Sequence, residues 1–269
     1  MSTSSLSPEG RRAAILEYLA RNDKITVEQV AKQFNVSEVT VRNDFRTLES
    51  TGKLHRTRGG ASSTMRAISL SYPEERLGIN AEAKDAIGKL AARLVKDGDT
   101  IAVDSGSTTY YFIRHLVNKR NLTVVTTDIT IASFAAFSIP NAEITMPGGT
   151  LYKNHLYLTG PITIRDLRNL YVDKSFLCCD SYSSGHGFTT KHEESSENKR
   201  AIISHSKIRA LLMDASKVGH PNFSKFAGIA DLDYIVMNDD PNGIVASDIQ
   251  AASEVWSSVP KLLLTRDFE

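Results

Sequence analysis

Over residues 8–21 the apolar positions Ile15, Leu16 and Leu19 share one helical face, and Pro8 suits a first helical turn. After a polar turn at Asn22-Asp23-Lys24, Val27, Val30, Ala31 and Phe34 repeat the pattern at i, i+3, i+4, i+7. Thr26 and Gln29 stand ahead of that stripe at capping-box spacing. A tight Asn35-Val36 connection leads to Ser37, placed to cap a third helix over 38–51 whose apolar positions are Val41, Phe45 and Leu48. Gly52 suits the end of that helix. The basic run up to Gly59-Gly60 predicts a short hairpin.

From residue 80 the rhythm changes. Ala83, Ile87, Leu90, Ala91 and Leu94 make an amphipathic helix, with Gly98 closing it. Short β-rich runs then alternate with helical ones. The predicted strands are 100–104, 122–127, 142–146, 174–179, 209–214, 234–237 and 261–265, and the predicted helices are 107–118, 129–137, 160–170, 193–206 and 247–257. Such alternation predicts an α/β fold with a largely parallel sheet and helices on both faces. The organisation expected is a helical unit with a basic hairpin over 6–61, a weakly periodic linker with Pro73 over 62–79, and an α/β unit over 80–269. Residues 1–5, rich in Ser and Thr, are expected to fray.

Composition narrows the class. Of 269 residues, 41% are hydrophobic and 23% charged, which excludes a collagen or a wholly disordered chain. No apolar run approaches the ~18–20 residues of a membrane span, and the opening MSTSSLSPEGRR lacks the apolar core of a signal peptide. Two adjacent cysteines, Cys178 and Cys179, would point to opposite faces of a strand, so a disulfide between them is not expected. The seven His show no zinc spacing, and no metal or cofactor is expected. Together these features point to a reducing, cytoplasmic compartment. Residues 1–60 carry 10 Lys+Arg against 7 Asp+Glu, a mild basic excess over a chain of net charge +1. That excess supports nucleic-acid binding without establishing it.

Three short helices, the second and third tightly joined, make a helix-turn-helix pattern. The third helix would enter the major groove. With Val41, Phe45 and Leu48 facing inward, Ser37, Thr40, Arg42, Asn43 and Arg46 remain for bases and phosphates. Arg56 and Arg58 would form a wing on phosphate or in the minor groove. A three-helix bundle with a solvated basic face fits the same pattern. The run FNVSEVTVRNDFRTLESTGKLHRTRGGA resembles the winged helix-turn-helix of the DeoR family through Val36-Ser37, Thr40-Val41-Arg42, Asp44, Leu48-Glu49, Gly52 and Arg58-Gly59-Gly60-Ala61. Asn43 stands where the family usually has a second Arg, and Phe45 where it has Leu.

In the second half, IAVDSGSTTYYF ends an apolar strand at Asp104 and opens a helix through a Ser-Gly-Ser-Thr-Thr turn. Backbone N–H groups at a helix N-terminus make an anion site, and Gly106 permits close approach. An ordinary Asx turn with a Ser/Thr cap reads the same way. Other strand ends add Thr127, Gly148-Gly149, Asp214 and Lys217, with Glu194 and Lys199 near the start of a helix.

The resemblance continues here through Asp104-Ser105-Gly106-Ser107-Thr108-Thr109, Gly148-Gly149, Asp173 with Phe176, Gly187, Thr189, Glu194 with Lys199, Asp214, Ser216-Lys217 and Gly219. It implies a Rossmann-like sensor domain, resembling ribose-5-phosphate isomerase in fold, that binds a phosphorylated sugar. By the same resemblance Asp104, residues 105–109, Thr127, Gly148, Gly149 and Asp214 surround the effector, with Lys199 and Lys217 as positive partners. The function implied is a transcriptional regulator, a repressor of a carbohydrate-catabolic operon, with operator DNA and a second copy of itself, as dimer or tetramer, for partners. Two other readings fit the residues: a sugar-phosphate isomerase-like enzyme with Asp104, Glu194 and Lys199 as acid–base groups, and a DNA-binding scaffold insensitive to metabolites.

Overall fold

The computed structural model describes residues 7–22, 24–51, 53–63, 77–153 and 155–268. The fraying expected of 1–5, the cap expected of Gly52 and most of the linker expected over 62–79 lie outside them. The chain divides into two compact units, Met1–Leu70 and Ser71–Glu269.

The first unit contains α1 (Pro8–Arg21), β1 (Lys24–Thr26), α2 (Val27–Phe34), α3 (Glu38–Ser50), β2 (Leu54–Thr57) and β3 (Gly60–Ser63). Local chemistry sets its boundaries. The Ser7 hydroxyl accepts from Gly10 N–H at 3.1 Å ahead of Pro8. Thr26 and Gln29 form the reciprocal capping box, at 3.1 and 2.8 Å. Asn35 takes the left-handed conformation that ends α2, and the Ser37 hydroxyl accepts from Thr40 N–H at 3.2 Å to start α3. Ile15, Leu19, Val30, Val41, Phe45, Leu48 and Leu54 make the core.

Two features of this unit are absent from the sequence reading. Arg11 of α1 and Asp44 of α3 form a buried ion pair at 2.6 Å. The turn expected at 22–24 gives way at Lys24 to β1, which pairs with β3 to make a sheet in the order β1-β3-β2. Gly60 is required there, because a Cβ would strike the Ile25 carbonyl.

The second unit begins with α4 (Ala81–Ala91) and β4 (Thr100–Val103). It continues through α5 (Ser107–Arg114), β5 (Thr123–Val125), α6 (Ile129–Ser138) and β6 (Glu143–Thr145). Next come a hairpin of β7 (Thr150–Tyr152) and β8 (Tyr157–Thr159), then α7 (Pro161–Leu167) and β9 (Val172–Cys178). The rest is β10 (Ser181–Ser183), β11 (Gly187–Thr190), α8 (Glu193–Ser204), β12 (Ser206–Leu212), β13 (Ser224–Ala227), β14 (Tyr234–Met237), α9 (Ile244–Ser253) and β15 (Lys261–Leu264).

All seven predicted strands enter one parallel sheet, in the order β15-β14-β12-β9-β4-β5-β6. Consecutive residues such as Ile101, Ala102 and Val103 are all buried, so both faces of the sheet are covered. From β4 the chain builds outward through β5 and β6, then crosses back to place β9 on the other side of β4. The β4–β9 boundary is therefore the topological switch point, where open α/β sheets leave a crevice at the carboxyl ends of their strands.

Several helical boundaries differ from expectation: the helix expected over 160–170 stops at Leu167, and the one expected to reach 257 ends at Ser253. The helix expected to close at Gly98 ends at Ala91 with a 3₁₀ turn over 92–94, and Gly98, at positive φ, sits in the turn into β4. The helix expected over 107–118 stops at Arg114. The last helix starts at Ile244 rather than 247, because left-handed Gly243 precedes it and the Asp240 carboxylate accepts from Ala246 N–H at 3.0 Å. A three-stranded antiparallel sheet, β10-β11-β13, was not expected at all.

Candidate functional site

In the first unit the burial of Val41, Asp44, Phe45 and Leu48 turns the opposite stripe of α3 outward. Arg42, Asn43 and Arg46 are exposed on it. Arg42 pairs with Glu38 at 2.8 Å, and Arg46 donates to the Asn43 side-chain carbonyl at 2.9 Å. Ser37 and Thr40 share a hydroxyl–hydroxyl bond of 2.9 Å within the cap. Arg56 lies on β2, 3.7 Å from Glu49, and Arg58 is exposed at the turn between β2 and β3. The residues predicted to read DNA thus fall on α3 and on the hairpin beside it.

In the second unit a cleft of about 220 Å³ opens at the switch point. Its floor is a buried ion pair between Asp104, at the end of β4, and Lys199 of α8. Burial alone would lower the Lys199 pKa. Asp104 above all, with Cys178 and Asp180, more than offsets it, so the ammonium is held above the ordinary lysine range and stays charged. Asp104 also accepts from the Cys178 N–H at 3.1 Å and contacts its thiol at 3.4 Å. Burial pushes the Cys178 thiol up to about 12, so it remains protonated and a poor nucleophile. Cys179, just past the end of β9, packs its sulfur 3.7 Å from Met213, and both cysteines are free.

Helix α5 begins at Ser107 and no side chain caps it. Its first-turn N–H groups lack intrahelical acceptors, and Ser107 and Thr108 line the cleft. Gly106 gives this backbone its place, since a Cβ there would collide with the Cys178 sulfur. The Ser105 hydroxyl donates to Asp128 at 2.6 Å, and Asp128 caps α6. The Thr109 hydroxyl donates to the Asp104 carbonyl at 2.7 Å, so Thr109 braces the loop from behind.

Of the predicted effector residues, Ser105, Gly106, Ser107, Thr108, Lys199 and Lys217 line this cleft. Asp104 and Thr109 lie beneath it. Thr127, Gly148, Gly149 and Asp214 are not in its lining. Thr127 is buried at the end of β5, one strand away from the switch point. Gly148 and Gly149 lie beyond β6 and belong to a clasp on α7, in which Gly148 N–H donates to Asp166 and Thr163 donates to the Gly148 carbonyl. Asp214 spends one carboxylate oxygen on Asn80 at 3.0 Å and on Ser216. Glu194 is exposed outside the lining.

The structure adds Lys84, His155, Tyr157, Asp180, Lys191 and His192 to the cleft. Lys84 is buried and donates to the Ile79 carbonyl at 2.6 Å. The Tyr157 hydroxyl is buried without a hydrogen-bond partner. Burial raises its pKa to about 12 against the pull of Lys199, which leaves it a neutral donor. His155 and His192 lie with ring centres 5.5 Å apart, beside Tyr152. One signal for Lys84 was present in the sequence: with Ile87, Gly88 and Ala91 it occupies the buried i, i+3, i+4, i+7 stripe of α4. Four lysines against Asp180 and the paired Asp104 make the cleft cationic. Among the described residues no cluster could hold a metal ion, and no helix is long and apolar enough to cross a membrane.

A winged helix-turn-helix joined to a Rossmann-like unit with a cationic cleft defines a DNA-binding regulator class. The DeoR-like helix-turn-helix domain matches residues 11–67, and the DeoR C terminal sensor domain matches residues 79–239. The HTH-type transcriptional repressor GlcR of Bacillus subtilis is 35% identical over 87% of this chain and 90% of its own length. The HTH-type transcriptional regulator YgbI of Escherichia coli is 33% identical over 86% and 90%. Among solved structures, ribose 5-phosphate isomerase A of Methanocaldococcus jannaschii aligns over 52% of this chain and 55% of that one, with 21% identity and a TM-score of 0.38. The chain belongs to the DeoR family of transcriptional regulators. It is a regulator, not an enzyme.

Proposed function

We propose that this protein represses a carbohydrate-catabolic operon and leaves its operator when a phosphorylated sugar fills the cleft at the β4–β9 switch point. The observation that carries the reading is a buried lysine and an unpartnered hydroxyl beside an uncapped helix N-terminus: Lys84, Tyr157 and α5. A phosphate brings nearly two negative charges and three strong acceptors. The N–H groups of Ser107 and Thr108 and the Lys84 ammonium suit it, with Lys217 and Lys191 adding charge. Tyr157, His155 and His192 are left for the sugar. The repressor in the name of GlcR supports the sign of regulation.

In this reading residues 6–61 bind operator DNA, 80–269 bind the effector, and 62–79 connect them in a cytoplasmic dimer or tetramer. Paired half-sites then lie about one helical turn, or a multiple of it, apart. The start of the second unit is held by Lys84 of the cleft and by two residues outside its lining. Tyr111 donates to the Leu77 carbonyl at 3.1 Å, Lys84 to the Ile79 carbonyl at 2.6 Å, and Asn80 to Asp214 at 3.0 Å. A phosphate that draws Lys84 from Ile79 changes how the end of the connection is held. Release then follows if the ligand favours the arrangement that binds DNA poorly, since only differential affinity shifts an equilibrium.

The test is fluorescence anisotropy on the DNA upstream of the gene, titrated with a panel of sugar phosphates and their free sugars. One phosphate is expected to release the DNA and to raise the melting temperature, while its free sugar does neither. Release by the free sugar at the same concentration, or by no compound of the panel, would refute the reading.

A further inference from the structure

The outward face of α3 carries an apolar residue that the DNA reading leaves unused. Val39 is 68% exposed, on the stripe that also holds Arg42, Asn43 and Arg46. Its neighbours in the first turn are engaged. Ser37 and Thr40 bond to each other in the cap, and Glu38 pairs with Arg42. An exposed β-branched residue is a poor choice for a solvated helix position, on helix propensity and on hydration alike. The first turn of a recognition helix is the part that reaches base edges.

We infer that Val39 reads a thymine 5-methyl group in each operator half-site. This rests on α3 being the helix in the major groove. Thymine alone among the four bases presents a methyl group there, and an apolar side chain recognises it by excluding water. Phosphates and the polar base edges offer Val39 nothing. Asn43, one turn further on the same stripe, suits adenine. Four residues of helix rise about 6 Å, close to two base-pair steps of about 3.4 Å. The thymine read by Val39 and the adenine read by Asn43 therefore fall within about two steps of each other.

The experiment starts with the duplex that the full chain selects from a random pool. Each thymine of both half-sites is then replaced in turn by deoxyuridine, which removes only the methyl group. At one position the wild type is expected to lose about fourfold in affinity per half-site, the worth of one buried methyl-sized group. Val39→Ser, a change at an exposed position, is expected to bind the thymine and uracil duplexes equally. Val39→Thr, which keeps one methyl, is expected to retain part of the preference. A wild type indifferent to every replacement overturns the inference, as does a Val39→Ser protein that loses the same factor. Selection of no preferred duplex overturns instead the placing of α3 in the groove.

Discussion

Removing one member of the Asp104–Lys199 pair is expected to destabilise the second unit far more than removing both. The two side chains are 4% and 3% exposed. Without Lys199, Asp104 keeps the Cys178 N–H at 3.1 Å and the Cys178 thiol at 3.4 Å, neither of which carries a positive charge. Without Asp104, the ammonium faces the Phe226 ring at 5.4 Å, which attracts it only weakly. Truncating one partner of a buried pair costs about 3–5 kcal/mol, because the remaining charge has lost both water and counter-ion. At about 2–4 °C per kcal/mol for a unit of this size, Lys199→Met and Asp104→Asn each lower its melting temperature by about 6–20 °C. The double variant leaves no buried charge, so its loss falls well below the sum of the two singles. Differential scanning calorimetry of the full chain measures this. Single variants that melt with the wild type, or a double variant whose loss equals the sum, would show that the pair is not a coupled buried unit.

Four further outcomes are expected. Gly106→Ala should cost about 1–3 kcal/mol by overpacking against the Cys178 sulfur; addition of Cys178→Ala should recover most of it in urea unfolding. Lys84→Met and Lys217→Ala should each weaken the sugar phosphate by about 1.5–3 kcal/mol, a roughly tenfold to hundredfold rise in the concentration that releases DNA, with operator affinity in its absence unchanged by anisotropy for Lys217→Ala, which leaves the Lys84–Ile79 bond in place. Arg42→Ala should abolish specific operator binding while the far-ultraviolet spectrum stays native, and Asn43→Arg should move the half-site preference from adenine towards guanine in binding-site selection. The hydrogen bond from Lys207, with that from the Thr100 N–H, holds the Asp173 carboxyl below its usual range; its stabilisation is therefore present above the unfolded value of about 3.9 and lost as pH falls through the folded value. Asp173→Asn should accordingly flatten the acid limb of the urea midpoint, and an unchanged limb would remove Asp173 from the account.

Much of the architecture was legible because it is written in local periodicity. Ile15, Val30, Val41, Phe45 and Leu48 mark buried helical faces, and each lies in the core. The seven strands of the parallel sheet are apolar runs bounded by turn residues, which is how a sheet covered on both faces reads. The short strands were not legible. β1, β7, β8 and β10, three residues each, lie in antiparallel pairs outside the parallel sheet, and they exist because a partner strand satisfies their backbone.

The candidate cleft divides the same way. Asp104 and the 105–109 turn stand out in sequence because a strand, a Gly and a run of hydroxyls adjoin a helix start, and such a junction makes its own anion-seeking geometry. Lys84, Tyr157, Lys191 and His192 come from separate stretches of chain and meet only at the switch point. Strand order also explains Thr127, Gly148 and Gly149, which sit at loops of the right composition beyond β5 and β6, away from the β4–β9 crevice. Asp104 and Lys199, 95 residues apart, looked like two groups free for a ligand, and the fold closes them on each other. By itself the sequence determined most helix starts, the strand runs of the parallel sheet and the exposed stripe of α3, because these depend on neighbours a few residues away. Only the tertiary structure decided which strand ends share a cleft and which charges are already paired, because those follow from the order of the sheet and from burial.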